Sequence, residues 1–397
     1  MKPIKLMIPG FLIVAATYGF ARYTYGPFLD MIQNDFNLGH QMTGLIGGLP
    51  FLAYVIGTLL AIRYIKHLGL KKPIIIGGVL ASIGLFLVMT SFSLWLLIAG
   101  IIVGGASGGF VWTAMPLVVT RLIDSSKQTQ VIGFVNAGPA LAIFLTGPLA
   151  FAFGSEWRLI WGVFSILALV TLIWIYKVLP SEQLTVDRRT IQGYVKKKTL
   201  LTQGKSFFSA SVICGLGTGV YVTYAVNLIN NMSLSIPFLS QYPQFFMSFI
   251  GMISLSSVMA FTVLKKVSFH AFYMVTTSLL AFSVMLLPFA FHWSILVISA
   301  FLFGLTFFTY FALLVLWGLR RFQSQASEAN GIMLLLIAFG QFLGPVFTGY
   351  FLSFVSLSTL FVASGLLLAT LLVLRPAAER TQQKSAKLKR HIPTHQG

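Results

Sequence analysis

Acidic side chains are scarce: eight Asp and Glu stand against 27 Lys and Arg in 397 residues, and charged residues of both signs make up only 9% of the chain. So few charges cannot coat a water-soluble globule of this size, because a soluble surface is built largely from ionised and polar groups. The single cysteine, Cys214, excludes a disulfide framework and any paired-cysteine metal site. No His-Glu-x-x-His string occurs, so the sequence offers no metal centre of that type and no cofactor motif. What fills the chain instead is apolar, at 57% of residues. The bilayer is the solvent this composition requires.

A hydrocarbon core roughly 30 Å thick takes about 20 helical residues to cross. Apolar runs of that length fall at 6 to 29, 42 to 62, 73 to 91, 94 to 120, 129 to 153, 159 to 177, 206 to 229, 243 to 264, 269 to 288, 294 to 318, 330 to 353 and 357 to 374. Each is long and continuously apolar, so helices are expected, since every backbone N–H and C=O in lipid must be bonded within its own segment. The expected fold class is therefore an all-α membrane protein of twelve transmembrane helices. Lys2 and Lys5 ahead of Leu6 have the look of a secretory leader, but the apolar stretch runs on to Leu29 without a small-x-small cleavage site. It reads as an uncleaved first span.

The basic residues are sorted along the chain. Twenty-five of the 27 fall in one set of alternate loops, leaving Arg158 alone in the other set and Arg22 inside the first span. By the positive-inside rule that sorting puts both termini in the cytoplasm and the protein in the plasma (cytoplasmic) membrane. It also accounts for the net charge of +19 as a face turned to anionic lipid headgroups, not as a nucleic-acid surface.

The longest polar interruption lies near the middle of the chain and suggests a division into residues 1–178 as an N-terminal six-helix bundle, 179–205 as a basic cytoplasmic linker, 206–375 as a C-terminal six-helix bundle and 376–397 as a basic cytoplasmic tail. The halves echo each other. Gly19 to Tyr25, with Arg22 and Tyr23 inside it, has a counterpart in Gly217 to Tyr224, and Gly147-Pro148 of span 5 returns as Gly344-Pro345 of span 11. Parallel repeats of this kind place a transporter's site between them near the midplane.

The Gly-Pro pairs, Trp157-Arg158, the cluster Gly104, Gly105, Gly108 and Gly109, and the loop residues Gly69, Lys71 and Lys72 together resemble the major facilitator superfamily over essentially the whole length. The resemblance implies two six-helix bundles and transport of a small-molecule substrate, with or without a coupling ion, by a monomer in the lipid bilayer. Two departures stand out. Lys66 occupies the Asp of the superfamily's loop motif and Ile62 its first Gly, and Gly100 replaces the frequent Arg of span 4. Proton coupling of the drug-efflux kind therefore does not carry over. Arg22 within Gly-Phe-Ala-Arg-Tyr and the string Gly340-Gln341-x-x-Gly344-Pro345 resemble a poorly characterised bacterial branch, which brings no substrate with it.

Arg22 is the sharpest feature. It lies about five residues past the centre of its span, roughly 7 Å toward the outer face, where insertion of a guanidinium costs about 2.5 to 3.5 kcal/mol. Either it binds an anionic group, for which its planar fork of donors suits carboxylate or phosphate, or it snorkels outward or caps carbonyls of a neighbouring helix. Helical spacing sets Tyr18, Arg22 and Tyr25 on one face. Trp112 of span 4, Tyr221 and Tyr224 of span 7 and Tyr310 of span 10 complete an expected substrate-binding set, each of them equally at home as ordinary packing. Gly147, Pro148, Gly344 and Pro345 are expected to kink their helices and act in gating. Asn136 and Gln341, deep in spans 5 and 11, read as glue between helices or as substrate contacts.

All eight carboxylates fall at or beyond helix ends, which disfavours a proton-coupled exporter of cations. Gly105-Ala-Ser107-Gly-Gly109 matches a nucleophile-elbow string, but that elbow needs a strand before it, which span 4 does not supply. No catalytic residue is assigned. A non-transporting membrane protein, such as a receptor or an intramembrane serine protease using Ser107, stands as the alternative to a transporter.

Overall fold

The computed structural model describes residues 2–180, 204–232, 237–259, 267–322 and 325–376. The expected linker between the bundles and the C-terminal tail fall almost wholly outside these residues. Twelve apolar helices run through the described parts: α1 (Pro3–Tyr23), α2 (His40–Leu68), α3 (Lys71–Met89), α4 (Leu94–Leu122), α5 (Ser125–Phe153), α6 (Trp157–Val178), α7 (Lys205–Asn230), α8 (Gln244–Met259), α9 (Phe269–Phe289), α10 (Trp293–Phe322), α11 (Ala326–Phe351) and α12 (Leu357–Leu372). Ten have the length and composition to cross a membrane, and α8 and α12 are shorter apolar helices. The expected spans and these helices coincide almost one for one, because the apolar runs are uninterrupted and their ends are marked by basic or turn residues.

The helices form two halves with the same internal pairing. In the first, α1 packs on α5, α2 on α4, and α3 on α4 and α6; in the second, α7 packs on α11, α8 on α10, and α9 on α10 and α12. Side chains on the outer girth, such as Ile83, Ile166, Val170 and Ile298, remain exposed, as a lipid-facing surface requires. Lys71 at the start of α3 donates to the carbonyl of Leu179 beyond α6 (2.6 Å), and His270 at the start of α9 meets the carbonyl of Pro376 beyond α12. These contacts mark the end of the bundle that carries the termini, called here the near end. The predicted loop motif lies there: Gly69 closes α2 with φ 70°, a conformation open to glycine, and Lys71 ties α3 to α6.

At the opposite, far end the halves meet closely. A Cβ at Gly44 of α2 would stand 2.4 Å from the carbonyl oxygen of Pro345 in α11, and one at Gly349 of α11 would stand 2.5 Å from the carbonyl oxygen of His40 in α2. Only the absence of a side chain permits these approaches. Asn227 and Asn230 of α7 donate to the carboxylate of Asp30 beyond α1, so Asp30 is not the free, solvated helix end that its position suggests. Arg158 is likewise tied down. It pairs with Asp35 and donates to the Ser91 carbonyl (2.9 Å), while Trp157 Nε1 donates to the same carboxylate of Asp35 (3.0 Å).

Two helices are interrupted at places other than the Gly-Pro pairs where bends are expected. Span 1 contains a π-helical stretch, Ala15–Phe20, and its hydrogen bonding breaks at Thr24 and Tyr25, ahead of the 3-10 turn Gly26–Phe28 and the short helix Leu29–Asp35. Pro27 supplies the cause, since it has no N–H to donate back. In α5 the interruption falls at Ala137, ahead of Pro139, whereas the helices run on through Pro148 and Pro345. Gly147 and Pro345 instead sit at contacts between helices: the Gly147 amide donates to Ser248 Oγ of α8 (2.8 Å), and the Pro345 carbonyl accepts from Tyr224 (3.4 Å).

The far-end contact predicts a specific sensitivity to volume. Gly44→Val is expected to cost about 1 to 3 kcal/mol through overpacking, whereas Gly133→Val, whose Cβ would meet nothing within 4 Å, is expected to cost little. Thermal unfolding of the two purified variants checks this, the first melting several degrees below the second.

Candidate functional site

The π-helical stretch positions the site. A π turn carries one extra residue and loosens the backbone bonding around it. Hydroxyls take up the slack: Thr17 Oγ1 donates to the Ile13 carbonyl (2.7 Å), Thr24 Oγ1 to the Phe20 carbonyl (2.5 Å), and Ser107 Oγ of α4 lies 3.1 Å from the Thr17 carbonyl and 2.5 Å from that of Gly104. Ser107 is thus a helix-joining donor. His270 and His292 are both placed at helix ends of the other half, so Ser107 has neither of them as a base.

Arg22 follows this stretch in the last turn of α1 and is 2% exposed. Its guanidinium carbon lies 4.4 Å from the ring centres of Tyr18 and Tyr54, 4.7 Å from Phe51 and 5.6 Å from Tyr23. Such cation–π contacts are worth about 0.5 to 2 kcal/mol each when desolvated, which offsets part of the cost of burying the charge. Trp112 of α4 stacks on Tyr18 at 4.6 Å and braces the cage from behind. One hydrogen bond is made to the guanidinium: Nη2 donates to Oε1 of Gln341 in α11, at 2.7 Å, across the boundary between the halves.

Four buried polar atoms at this point have no partner among the described residues: Arg22 Nε, Arg22 Nη1, Gln341 Nε2 and the Tyr23 hydroxyl. Three are pure donors and the fourth can donate. Among the described residues no carboxylate reaches the guanidinium, for the ion pair found is that of Arg158 with Asp35. On its far side Tyr23 meets the rings of Phe51, Phe307 and Phe308, so α10 completes an aromatic wall from the second half. Phe51, Tyr54, Trp112, Phe307 and Gln341 all lie near the middle of their helices. The result is a buried, donor-rich, aromatic cluster centred on one cation that no described carboxylate neutralises.

Of the expected site residues, the structure brings Arg22, Tyr18 and Trp112 together. Tyr25 and Tyr224 sit at the far end instead: the Tyr25 hydroxyl donates to the Thr43 carbonyl (3.4 Å), and Tyr224 lines a cavity of about 670 Å³ with Asp30, His40 and Asn227. Tyr221 and Tyr310 are enclosed in the second half. Tyr221 stacks on Phe303 at 3.8 Å and bonds Ser299, and Tyr310 bonds the hydroxyl of Tyr273 (both 2.9 Å). Sequence reasoning missed Phe51, Tyr54 and Tyr23, although Phe51 and Tyr54 carry the spacing of one helix face, and it left open whether Gln341 contacts substrate.

The profile of the Major Facilitator Superfamily matches residues 11–327. The chain belongs to this superfamily. Among curated proteins it is similar to the uncharacterized transporter YgaY of Escherichia coli O157:H7, 26% identical over 163 residues and 41% of each chain. It is also similar to the uncharacterized transporter YycB of Bacillus subtilis (strain 168), 25% identical over 176 residues and 43% of each chain. The chain thus spans about two-fifths of the length of these relatives. Among solved structures the nucleoside transporter NupG superposes with a TM-score of 0.72 at 15% identity, covering 94% of this chain and 99% of that one. At that identity the likeness establishes the superfamily's fold.

Ser107→Ala is expected to lower stability by about 1 kcal/mol, because the Thr17 carbonyl loses its donor from α4. A fall in thermal midpoint measures it, and an unchanged midpoint would mean that the π stretch does not depend on that bond.

Proposed function

We propose that this superfamily member is a secondary transporter working by alternating access, and that it carries a small organic anion held by Arg22. One observation supports the substrate class above all others. A buried guanidinium offers two unpartnered nitrogens beside the unpartnered amide of Gln341 and hydroxyl of Tyr23, with no carboxylate of the described residues in reach. A carboxylate or similar oxyanion supplies the acceptors these donors lack, and charge-assisted bonds of this kind are the strong ones. The aromatic rings around Arg22 suit an apolar body attached to that anion.

The remaining parts of the proposal follow from charge and packing. The sorted basic residues support a reading in which the near end and both termini face the cytoplasm across a bacterial-type plasma membrane, and one chain is proposed to act alone. In this reading the closely packed seam between α2 and α11 at the far end is the closed, outer side of the carrier. Residues 1–178 and 206–375 are proposed as the two rocking bundles, 179–205 and 376–397 as their cytoplasmic linker and tail, and Gly147-Pro148 and Gly344-Pro345 as points that shift when the far end opens.

A thermal-shift series with the purified protein tests the substrate class, since a ligand that binds the folded state raises its apparent stability. Small carboxylates, with 4-hydroxybenzoate as the first probe, are expected to raise the midpoint of the wild type by several degrees. Arg22→Gln is expected to abolish the shift and Arg22→Lys to keep part of it. Stabilisation by organic cations that the Arg22 variants share would sink the anion reading.

A further inference from the structure

Arg22 carries a positive charge that nothing in its described surroundings cancels. The guanidinium does not lose its proton in proteins, and its contacts, namely Gln341 and the rings of Tyr18, Phe51 and Tyr54, are neutral. The described carboxylates are engaged or placed elsewhere: Asp30 accepts from Asn227 and Asn230, Asp35 pairs with Arg158, and Asp124, Glu156 and Glu328 stand at helix starts. None of these acids is in the pocket to balance the charge when the pocket is empty.

Alternating access passes through a state in which both ends are closed. In that state an empty carrier would keep the cation that the described form already buries, with its two bare donors, and could draw water to it from neither end. Burying an unmatched ion in this way is strongly unfavourable. An anion bound at Nε or Nη1 removes the charge and fills the donors at once. A single negative charge matches a single guanidinium, whereas a dianion would overshoot and leave the pocket negative.

Resting on the anion reading above, we propose that this carrier is an exchanger of monoanions. It reorients with one singly charged organic anion bound and stays fixed when empty, so that export of one anion is tied to import of another. The Arg22–Gln341 hydrogen bond is part of the lock, because it ties α1 of one half to α11 of the other at the charge itself.

Distance measurements on the full-length chain test the lock without reference to any substrate. Spin labels at Gln41, near the start of α2, and at Phe354, beyond α11, report the far end; both positions are exposed, and Cys214→Ala supplies the background. By double electron–electron resonance the ligand-free protein is expected to give one short distance, and Arg22→Lys the same. Arg22→Gln, which removes the charge, is expected to add a second, longer distance without ligand. A parent that already populates both distances, or an Arg22→Gln variant confined to the short one, overturns the proposal.

Flux separates this proposal from the anion reading beneath it. Efflux of 4-hydroxybenzoate from loaded proteoliposomes is expected to rise several-fold when 4-hydroxybenzoate is present outside, and to lose that rise in Arg22→Gln. Efflux that depends on Arg22 but is indifferent to the external anion overturns exchange alone. Efflux indifferent to Arg22 overturns the anion reading and exchange with it.

Discussion

A cation in an apolar interior has to be answered, and the way Arg22 is half answered organises the centre of this protein. Rings from α1 and α2 take part of its field, Gln341 of α11 takes one of its hydrogens, and the rest is left open. The local backbone is arranged around that residue. The π stretch brings Tyr18 onto Trp112, Ser107 holds the loosened Thr17 carbonyl, and the break at Thr24 and Tyr25 ends α1 just beyond the guanidinium. The π stretch and the break each weaken the helix, the Ser107 bond offsets part of that, and together they set the Arg22 cluster at the boundary between the halves.

The boundary is built differently at its far end. There small residues replace polar ones, and backbones approach without side chains between them at Gly44 and Gly349. Packing of this sort is close and lacks deep interdigitation of side chains. The amides of Asn227 and Asn230 around Asp30 add a polar contact at the rim, next to the cavity lined by Tyr224 and His40. The midpoint holds a charge and the end holds a seam, and the two are joined by α2 and α11, which run from one to the other.

Much of this was legible in the residues. Lipid forces each span to be apolar from end to end, so the twelve helices follow from composition and length, and the basic residues mark their ends. Arg22 stood out for the same reason, as a charge where charges are costly. Partners were harder to see. Helical spacing says which residues share a face, but not what that face meets, so Tyr221 and Tyr310 read as candidates until the structure enclosed them against Phe303 and Tyr273. The π turn and the break after Tyr23 shift the phase of span 1, which is why Tyr25 parts from Arg22 and joins Thr43 at the far end. Gln341 was visible as a buried amide, yet its partner lies 319 residues away, and no local pattern encodes that pairing.

The central claim is that the bare donors of Arg22 and Gln341 are the place where an anion sits. An electron cryomicroscopy structure of the wild type with an aromatic carboxylate present tests it most directly. The account predicts density for a carboxylate within hydrogen-bond distance of Arg22 Nε or Nη1 and beside Gln341 Nε2, with its apolar body against Phe51, Phe307 or Phe308. Ordered water alone at those nitrogens, with the carboxylate bound elsewhere in the protein, would contradict it.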